Sequence, residues 1–467
     1  MSKRLHRRQA LQLGAAAGLG YFFNGPASSV VKAAGSNGRL HLAGIGVGGK
    51  GRSDIIHAGA HGDVVALVDV DEAEKHLGGA AMKWPKAKTY FDMRKLFDDA
   101  EMMKQIDAVT ISTPDHMHAS AAIPLMRMGK HVYVQKPLTR TVFEARTMME
   151  TAKKYKVCTQ MGNQGTALPG LRRAVELIQD GIIGQIKEAH VWTNRPIWPQ
   201  APGVMKRLTK ADVPDTVHWD EFLGGAPDRV YAKGYHPFAW RGWWDFGTGA
   251  IGDMACHTAN MAFMALKLQH PTKVSAEAGD VNDETCPSWA HVTMEFPKRE
   301  KMDAVTLHWY EGKRDGKKVL PPAELIEKVV KAGGKLVDSG SILVGEKGIL
   351  YSPDDYGAKI LITPGELTEG KNLTKPETLP NLAGDNDVNQ KKEWVEAIKA
   401  NKPTLALSNF DYSALLTEAF LLGNVAIRSG KPVIWDGPKF KVTDNEKAMK
   451  YIKTEYRKGW DLIGEKA

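Results

Sequence analysis

The sequence predicts an α/β protein: a doubly wound parallel sheet near the N-terminus, then an α+β domain with an open, largely antiparallel sheet. Three observations carry this. Short apolar, strand-like runs alternate with helical stretches from about residue 39 to about residue 160. A glycine-rich turn, Gly44-Ile45-Gly46-Val47-Gly48-Gly49, closes the first of those runs. The chain of 467 residues is too long for one ordinary core, so two domains are expected.

The elements before that alternation read as a targeting segment. Lys3, Arg4, Arg7 and Arg8 form a charged start, and no acid appears before Asp54. A weakly apolar run over residues 10–23 follows, then small residues near Pro26-Ala27-Ser28 and Ala33-Ala34. Arg7-Arg8-Gln9-Ala10-Leu11 fits the twin-arginine pattern of bacterial Tat signals, so residues 1–34 are expected to direct export of the folded protein to the periplasm. A Sec signal or a basic tail is the alternative. Removing five cations with that segment lowers the formal charge from +9 to about +4, with no compact basic stripe, so no nucleic-acid partner is expected. No run approaches the length of a membrane span. Three cysteines, Cys158, Cys256 and Cys286, show no metal-type spacing and can form one disulfide at most.

Residues 38–162 read as the first domain. A strand over residues 39–43 enters the glycine turn, a helix follows over 49–60, and a buried strand over 64–68 ends at Asp69. This strand–glycine–helix–strand–acid order is the fingerprint of a Rossmann dinucleotide site. Gly44 permits the tight turn, Gly46 lets backbone approach a pyrophosphate, and Gly49 lets helix and strand pack closely. Asp69 would accept bonds from the adenosine ribose and repel a 2′-phosphate, which favours NAD over NADP; Asp71 is a rival for that role. Strands over 108–112, 131–134 and 157–160 and helices over 117–128 and 142–155 continue the rhythm, with Asp115 as an N-cap. Ligands of such sheets sit at the carboxyl ends of the strands, where Thr113, Pro114, His116, Gln135, Lys136 and Asn163 fall. His118 reads as a packing residue, and no catalytic metal is expected.

Four segments in this order resemble the Gfo/Idh/MocA oxidoreductase family: the glycine turn, Thr113-Pro114-Asp115-His116-Met117-His118, Gln135-Lys136-Pro137 and Asp253-Met254-Ala255-Cys256-His257. Trp240 to Gly247 is similar to a stretch in exported members. The resemblance implies that Lys136 contacts the reacting hydroxyl, that Asp253 binds substrate or assists catalysis, and that His257 is the general base. It also implies sugar or polyol substrates and a homo-oligomer, dimer or tetramer, built through the open sheet. Gln135 departs from the pattern, which has an acid there. Independently of the resemblance, oxidising a secondary alcohol requires a proton acceptor, and histidine titrates in the useful range. Asp253 and His257, four apart, share one helix face.

Residues 163–467 read as the substrate-binding domain, with helices over 171–180, 390–400 and 412–429 and strands over 186–192, 273–278, 291–296, 303–309 and 342–344. Residues 313–340 read as a solvent-facing insertion. Six of the twelve tryptophans fall between Trp192 and Trp244, in a segment broken by prolines. Aromatic faces suit the C–H faces of sugar rings; Asn194, Arg195, Tyr235, His236, Arg241 and Trp243 are therefore candidate substrate contacts, beside a packing role for at least half of the tryptophans. The leading expectation is a periplasmic oxidoreductase acting on a sugar, glycoside or polyol hydroxyl with tightly held NAD. The alternatives are a redox-neutral, NAD-using glycoside hydrolase or lyase, and a non-catalytic sugar-binding protein.

Overall fold

Six short segments pair, all in parallel, into the first sheet: β1 (Leu40–Ile45), β2 (Gly62–Val68), β3 (Lys88–Tyr90), β4 (Ala108–Ile111), β5 (His131–Val134) and β6 (Thr159–Met161). Their spatial order is β3-β2-β1-β4-β5-β6. β4 and β5 are buried at every position, which is why they read as unbroken apolar runs. The order reverses between β1 and β4, and a cleft opens at their carboxyl ends. The computed structural model describes residues 38–464, so the targeting segment expected over residues 1–34 lies outside the described residues. The Val142–Tyr155 helix starts at a capping box, Thr141 with Glu144, and stops at Lys156 in the left-handed region.

Ten strands form the second, mixed sheet: β7 (Ile186–Trp192), β8 (Lys273–Gly279), β9 (Trp289–Phe296), β10 (Val305–Arg314), β11 (Lys317–Lys318), β12 (Gly340–Gly345), β13 (Ile349–Ser352), β14 (Leu361–Thr363), β15 (Val433–Asp436) and β16 (Lys441–Val442). The main order is β14-β13-β12-β7-β10-β9-β8-β15-β16, with β11 beside β10. Only β7 and β10 run parallel; every other pair is antiparallel. Alternation sorts the faces: Ala189, Val191, Leu307, Trp309, Val292 and Met294 are buried on the inner face.

The two sheets share an apolar core, because late helices return to the first one. The Phe410–Ser429 helix packs on both the Val142–Tyr155 helix and β8, and the Asn386–Lys399 helix lies along the Gly49–Gly59 helix. The latter brings the fully buried Lys391 ammonium to 2.6 Å from Asp54, also fully buried. A buried charge requires a partner of this kind.

Two expectations need correction. Residues 313–340 are not simply solvent-facing: they contain β11 and the Ala323–Lys331 helix, whose Leu325 and Val329, one turn apart, pack against Trp192 and Tyr351. The loop-rich stretch before the Gly249–Thr258 helix has a core of its own. Phe222, Tyr235, Trp240, Trp243 and Phe246 pack together there, with the Arg229 guanidinium set over Tyr235, Trp243 and Phe246. No helix among the described residues is long and apolar enough to cross a membrane.

Candidate active site

Two glycines of the turn and the helix after it stand where a side chain would strike neighbouring backbone. Gly46 adopts φ +75°, and a Cβ on it would lie 2.8 Å from the Ser112 carbonyl. Close packing of helix and turn is the work of Gly51, where a Cβ would come within 1.8 Å of the Gly46 carbonyl oxygen. That corrects the role expected of Gly49, whose Cβ would meet nothing; its φ of +49° instead starts the helix. Gly44 sits within β1 against Val47, consistent with a steric role in the turn. Asp69, buried just beyond β2, accepts the Val47 and Gly48 amides at 2.8 and 2.9 Å and the Asp71 amide at 3.1 Å. These groups open onto a cleft of about 500 Å³ that continues past Thr113 and Pro114 to Gln135 and Lys136. A glycine-rich turn, an acid after the second strand and a buried, unpartnered Thr113 hydroxyl all fit a bound dinucleotide.

Lys136 and the Gly249–Thr258 helix meet at the far end. Lys136 Nζ lies 2.8 Å from Asp253 Oδ1 and 3.2 Å from the Asp253 carbonyl, and Arg241 Nε is 3.5 Å from the same carboxylate oxygen. Burial pulls the Lys136 ammonium down, but Asp253 outweighs it and the net shift is upward. Burial likewise raises Asp253, yet Lys136 and Arg241 hold it below the usual carboxylate range. The pair is therefore ionised. His257, one turn on, is buried and its Nδ1 has no partner; burial lowers it to about 3, so it is neutral at ordinary pH. Its ring meets Tyr356 edge-on at 5.0 Å.

Asp115 is a site group that sequence reasoning treated only as a cap. It is buried, accepts the Thr248 hydroxyl at 2.8 Å, and burial raises it to about 7. Thr248 stands just before the helix of Asp253 and His257, so this bond ties the two segments together. Gly252 is required beside it, since a Cβ there would come within 2.1 Å of Thr248 Oγ1. Asp115 directly precedes two histidines at a strand end, a signal that sequence reading could have weighed; Tyr356, a hundred residues beyond His257, offered none.

Gln135 sits beside a buried cluster of charges. Its Nε2 donates to Asp54 Oδ2 at 2.8 Å, and Asp54 also meets Lys50 at 2.7 Å and accepts the Ser112 hydroxyl at 2.8 Å. The carboxylate missing from position 135 is thus present as a buried neighbour.

Several expected contacts fall elsewhere. His116 is buried between Phe222 and Phe246 with Nε2 on the Phe222 carbonyl at 2.9 Å, because the tryptophan-rich segment folds over it. Asn163 is also buried; its amide donates to the Cys256 carbonyl at 3.2 Å, which braces the helix of His257 rather than lining the cleft. His118 lies 2.8 Å from both the Pro137 and Thr113 carbonyls and holds those loops together. Tyr235 and Trp243 are core residues, closed off by Trp219, Phe246 and Arg229, so neither offers a face to a sugar. Of the six clustered tryptophans, Trp240 borders the cleft, with the Arg241 guanidinium 4.2 Å from its ring. Arg195 lies near enough to act electrostatically on His257, and Asn194 is exposed beside it.

Fold and site together define a two-domain oxidoreductase with an NAD-binding Rossmann domain. Residues 40–163 match the family described as "Oxidoreductase family, NAD-binding Rossmann fold", and residues 173–303 match its "C-terminal alpha/beta domain". The chain belongs to the Gfo/Idh/MocA oxidoreductase family. Among its relatives, levoglucosan dehydrogenase of Pseudarthrobacter phenanthrenivorans is 27% identical over 195 residues, 41% of this chain and 40% of that protein. A glycosyl hydrolase family 109 protein of Shewanella pealeana is 29% identical over 149 residues, 30% of this chain and 32% of that one. These alignments span well under half of each relative. Crystalline aldose-aldose oxidoreductase of Caulobacter crescentus superposes with a TM-score of 0.55 over 85% of this chain and 100% of its own, at 16% identity, a likeness of fold.

Proposed function

We propose that this protein oxidises a secondary hydroxyl of a sugar, glycoside or polyol, using NAD that stays bound through the catalytic cycle. The observation that carries the reading is the Lys136–Asp253 ion pair at 2.8 Å, with the unpartnered Nδ1 of neutral His257 one helical turn away. NAD, when bound, would supply the hydride acceptor. Glycine-turn backbone and Asp69 would hold it, in the cleft that Gln135 and Lys136 also line. Lys136, cationic, donates a hydrogen bond to the reacting oxygen and stabilises negative charge as it develops. It cannot itself accept the proton while paired with Asp253. His257 takes the hydroxyl proton, and Asp253 keeps Lys136 charged and aimed. Arg241 and Arg195 are placed to meet further hydroxyls, and Trp240 to meet a ring face. A twin-arginine segment supports export to the periplasm, where free NAD is scarce, and that setting favours a cofactor regenerated in place.

A second reading is favoured by the glycosyl hydrolase family 109 relative: transient oxidation of a ring carbon, elimination of the glycosidic group, water addition and re-reduction, with no net redox change. Lys136 and His257 serve both routes. To separate them, the purified protein, with its retained cofactor quantified, is supplied with free sugars and glycosides. Stoichiometric NADH or ketosugar supports net oxidation; aglycone release without NADH overturns it in favour of the redox-neutral route. Neither product from any sugar, beside saturable sugar binding, would point to the non-catalytic alternative.

A further inference from the structure

Asp71, His76 and His236 converge at the adenosine end of the cleft, away from Lys136. One oxygen of Asp71, Oδ1, is fixed by the Ala73 amide at 2.9 Å. The other, Oδ2, faces His76 Nε2 at 3.7 Å and His236 Nε2 at 3.5 Å, and the three ligand atoms all lie within 4.8 Å of one another. These gaps are too long for good hydrogen bonds. They are close to the edge of a tetrahedron built on metal–ligand bonds of about 2.1 Å, which is roughly 3.4 Å. A small swing of the two rings closes the remainder. The far nitrogen of His76, Nδ1, faces Asp69 Oδ2 at 3.8 Å, beyond hydrogen-bond length, with the carboxylate on the side where metal-bound imidazoles usually have one. His76 also lies directly over the turn: a Cβ on Gly48 would be 1.9 Å from its Nδ1.

The chain supplies the ligands from two places. Asp71 and His76 follow β2 of the Rossmann sheet, whereas His236 comes from the tryptophan-rich segment. Backbone pairing of Asp71 with Val217 already brings that segment alongside. We propose that these three residues bind a divalent cation of the zinc class, with water in the fourth position, and that the ion clips the tryptophan-rich segment over the adenosine half of NAD. Two imidazoles and one carboxylate suit zinc, cobalt and nickel better than magnesium or calcium. The ion lies at the cofactor's adenosine end, so its role is retention rather than the chemistry at Lys136. The site does not depend on what the enzyme oxidises.

The test uses the full chain, stripped with a chelator and titrated with Co²⁺. One equivalent is expected to bind with a tetrahedral visible spectrum, and Zn²⁺ should displace it. His76→Ala and His236→Ala should each weaken binding at least tenfold, while His308→Asn, on the second sheet beside His291, should leave it unchanged. Circular dichroism checks that each variant folds. Binding that survives His236→Ala, or that is lost in His308→Asn, overturns the assignment. In the NAD-loaded protein Zn²⁺ should slow cofactor release several-fold, and His236→Ala should abolish that slowing; equal release with and without Zn²⁺ overturns the clip. Neither readout requires substrate, so failure here is separable from failure of the sugar reading.

Discussion

Gln135→Glu restores the acid found at this position in the family pattern, yet it should destabilise this chain. Gln135 Nε2 now donates to Asp54 Oδ2 at 2.8 Å, and Asp54 is fully buried. Replacing the amide by a carboxylate removes that donor and sets two anions in contact. Even after relaxation to about 4 Å, their repulsion at an effective dielectric near 20 is about 4 kcal/mol. Lys50 and Lys391 are already committed to Asp54 Oδ1 at 2.7 and 2.6 Å, so they offset only part of this. The expected loss is about 3 kcal/mol at neutral pH. The introduced carboxyl would have a raised pKa in the folded state. Its protonated form can donate to Asp54, so the loss should vanish below about pH 4 and grow as pH rises through the folded value. Denaturant midpoints of the wild type, Gln135→Glu, Asp54→Asn and the double variant measure the coupling directly. A variant as stable as wild type near neutral pH, or coupling below about 0.5 kcal/mol, would refute the account of Gln135 as a neutral donor that Asp54, held ionised by Lys391 and Lys50, requires at its second oxygen.

Three further outcomes follow from the site. Lys136→Met should lower turnover by about 10²- to 10⁴-fold while cofactor content, read by release and absorbance, changes far less. Asp115, raised to about 7 by burial from 3.8, favours folding at pH below its unfolded value and loses that contribution as pH rises through about 7. Asp115→Asn should therefore gain on the wild type progressively between about pH 4 and about pH 7 and keep that gain at higher pH, by up to about 4 kcal/mol, in parallel denaturation series. Trp243→Ala should cost about 3–5 kcal/mol as a core deletion, whereas the milder Trp243→Phe should leave KM for any sugar near its wild-type value; a large KM rise in the Phe variant would restore the sugar-platform role.

What could be read from the sequence was what neighbouring residues determine. The strand over 131–134 and the helix over 142–155 have the predicted bounds, because a fully buried strand and a capping box both leave local signals. β3 went unpredicted: three residues, largely polar and at the sheet edge, carry no period. The helices Leu77–Lys83, Met93–Asp98 and Ala100–Gln105 are too short to show one. Lys136, Asp253 and His257 were expected together from motif order, and the fold brings them together. Long-range partners were invisible. Lys391 lies 337 residues from Asp54, and nothing near either predicts a buried ion pair. Trp243 and Tyr235 were misassigned for the opposite reason: prolines around them suggested a surface loop, but enough aromatic mass collects there to bury itself.

The ionised Lys136–Asp253 pair has a consequence for how substrate must bind. A lysine already satisfied by a carboxylate at 2.8 Å has spare donors but no basicity, so a hydroxyl gains a hydrogen bond from it without giving up its proton. The proton must go to a group with a free lone pair, and neutral His257 has one, although the burial that keeps it neutral also weakens it as a base. Taking the proton creates an imidazolium in a site that disfavours it, and the nearest anion able to stabilise it is Asp253 on the same helix face. Asp253 is thus shared: it holds Lys136 charged in the resting site and offsets His257 as charge develops there. A cation is then present on either side of the same carboxylate, which predicts that Asp253→Asn should impair catalysis more than loss of a single hydrogen bond would. That variant should lower turnover at least as far as His257→Asn, and the double variant should add little, since both act on the same proton. Fully additive losses would show that the carboxylate and the imidazole work independently, and would sink the shared-anion argument.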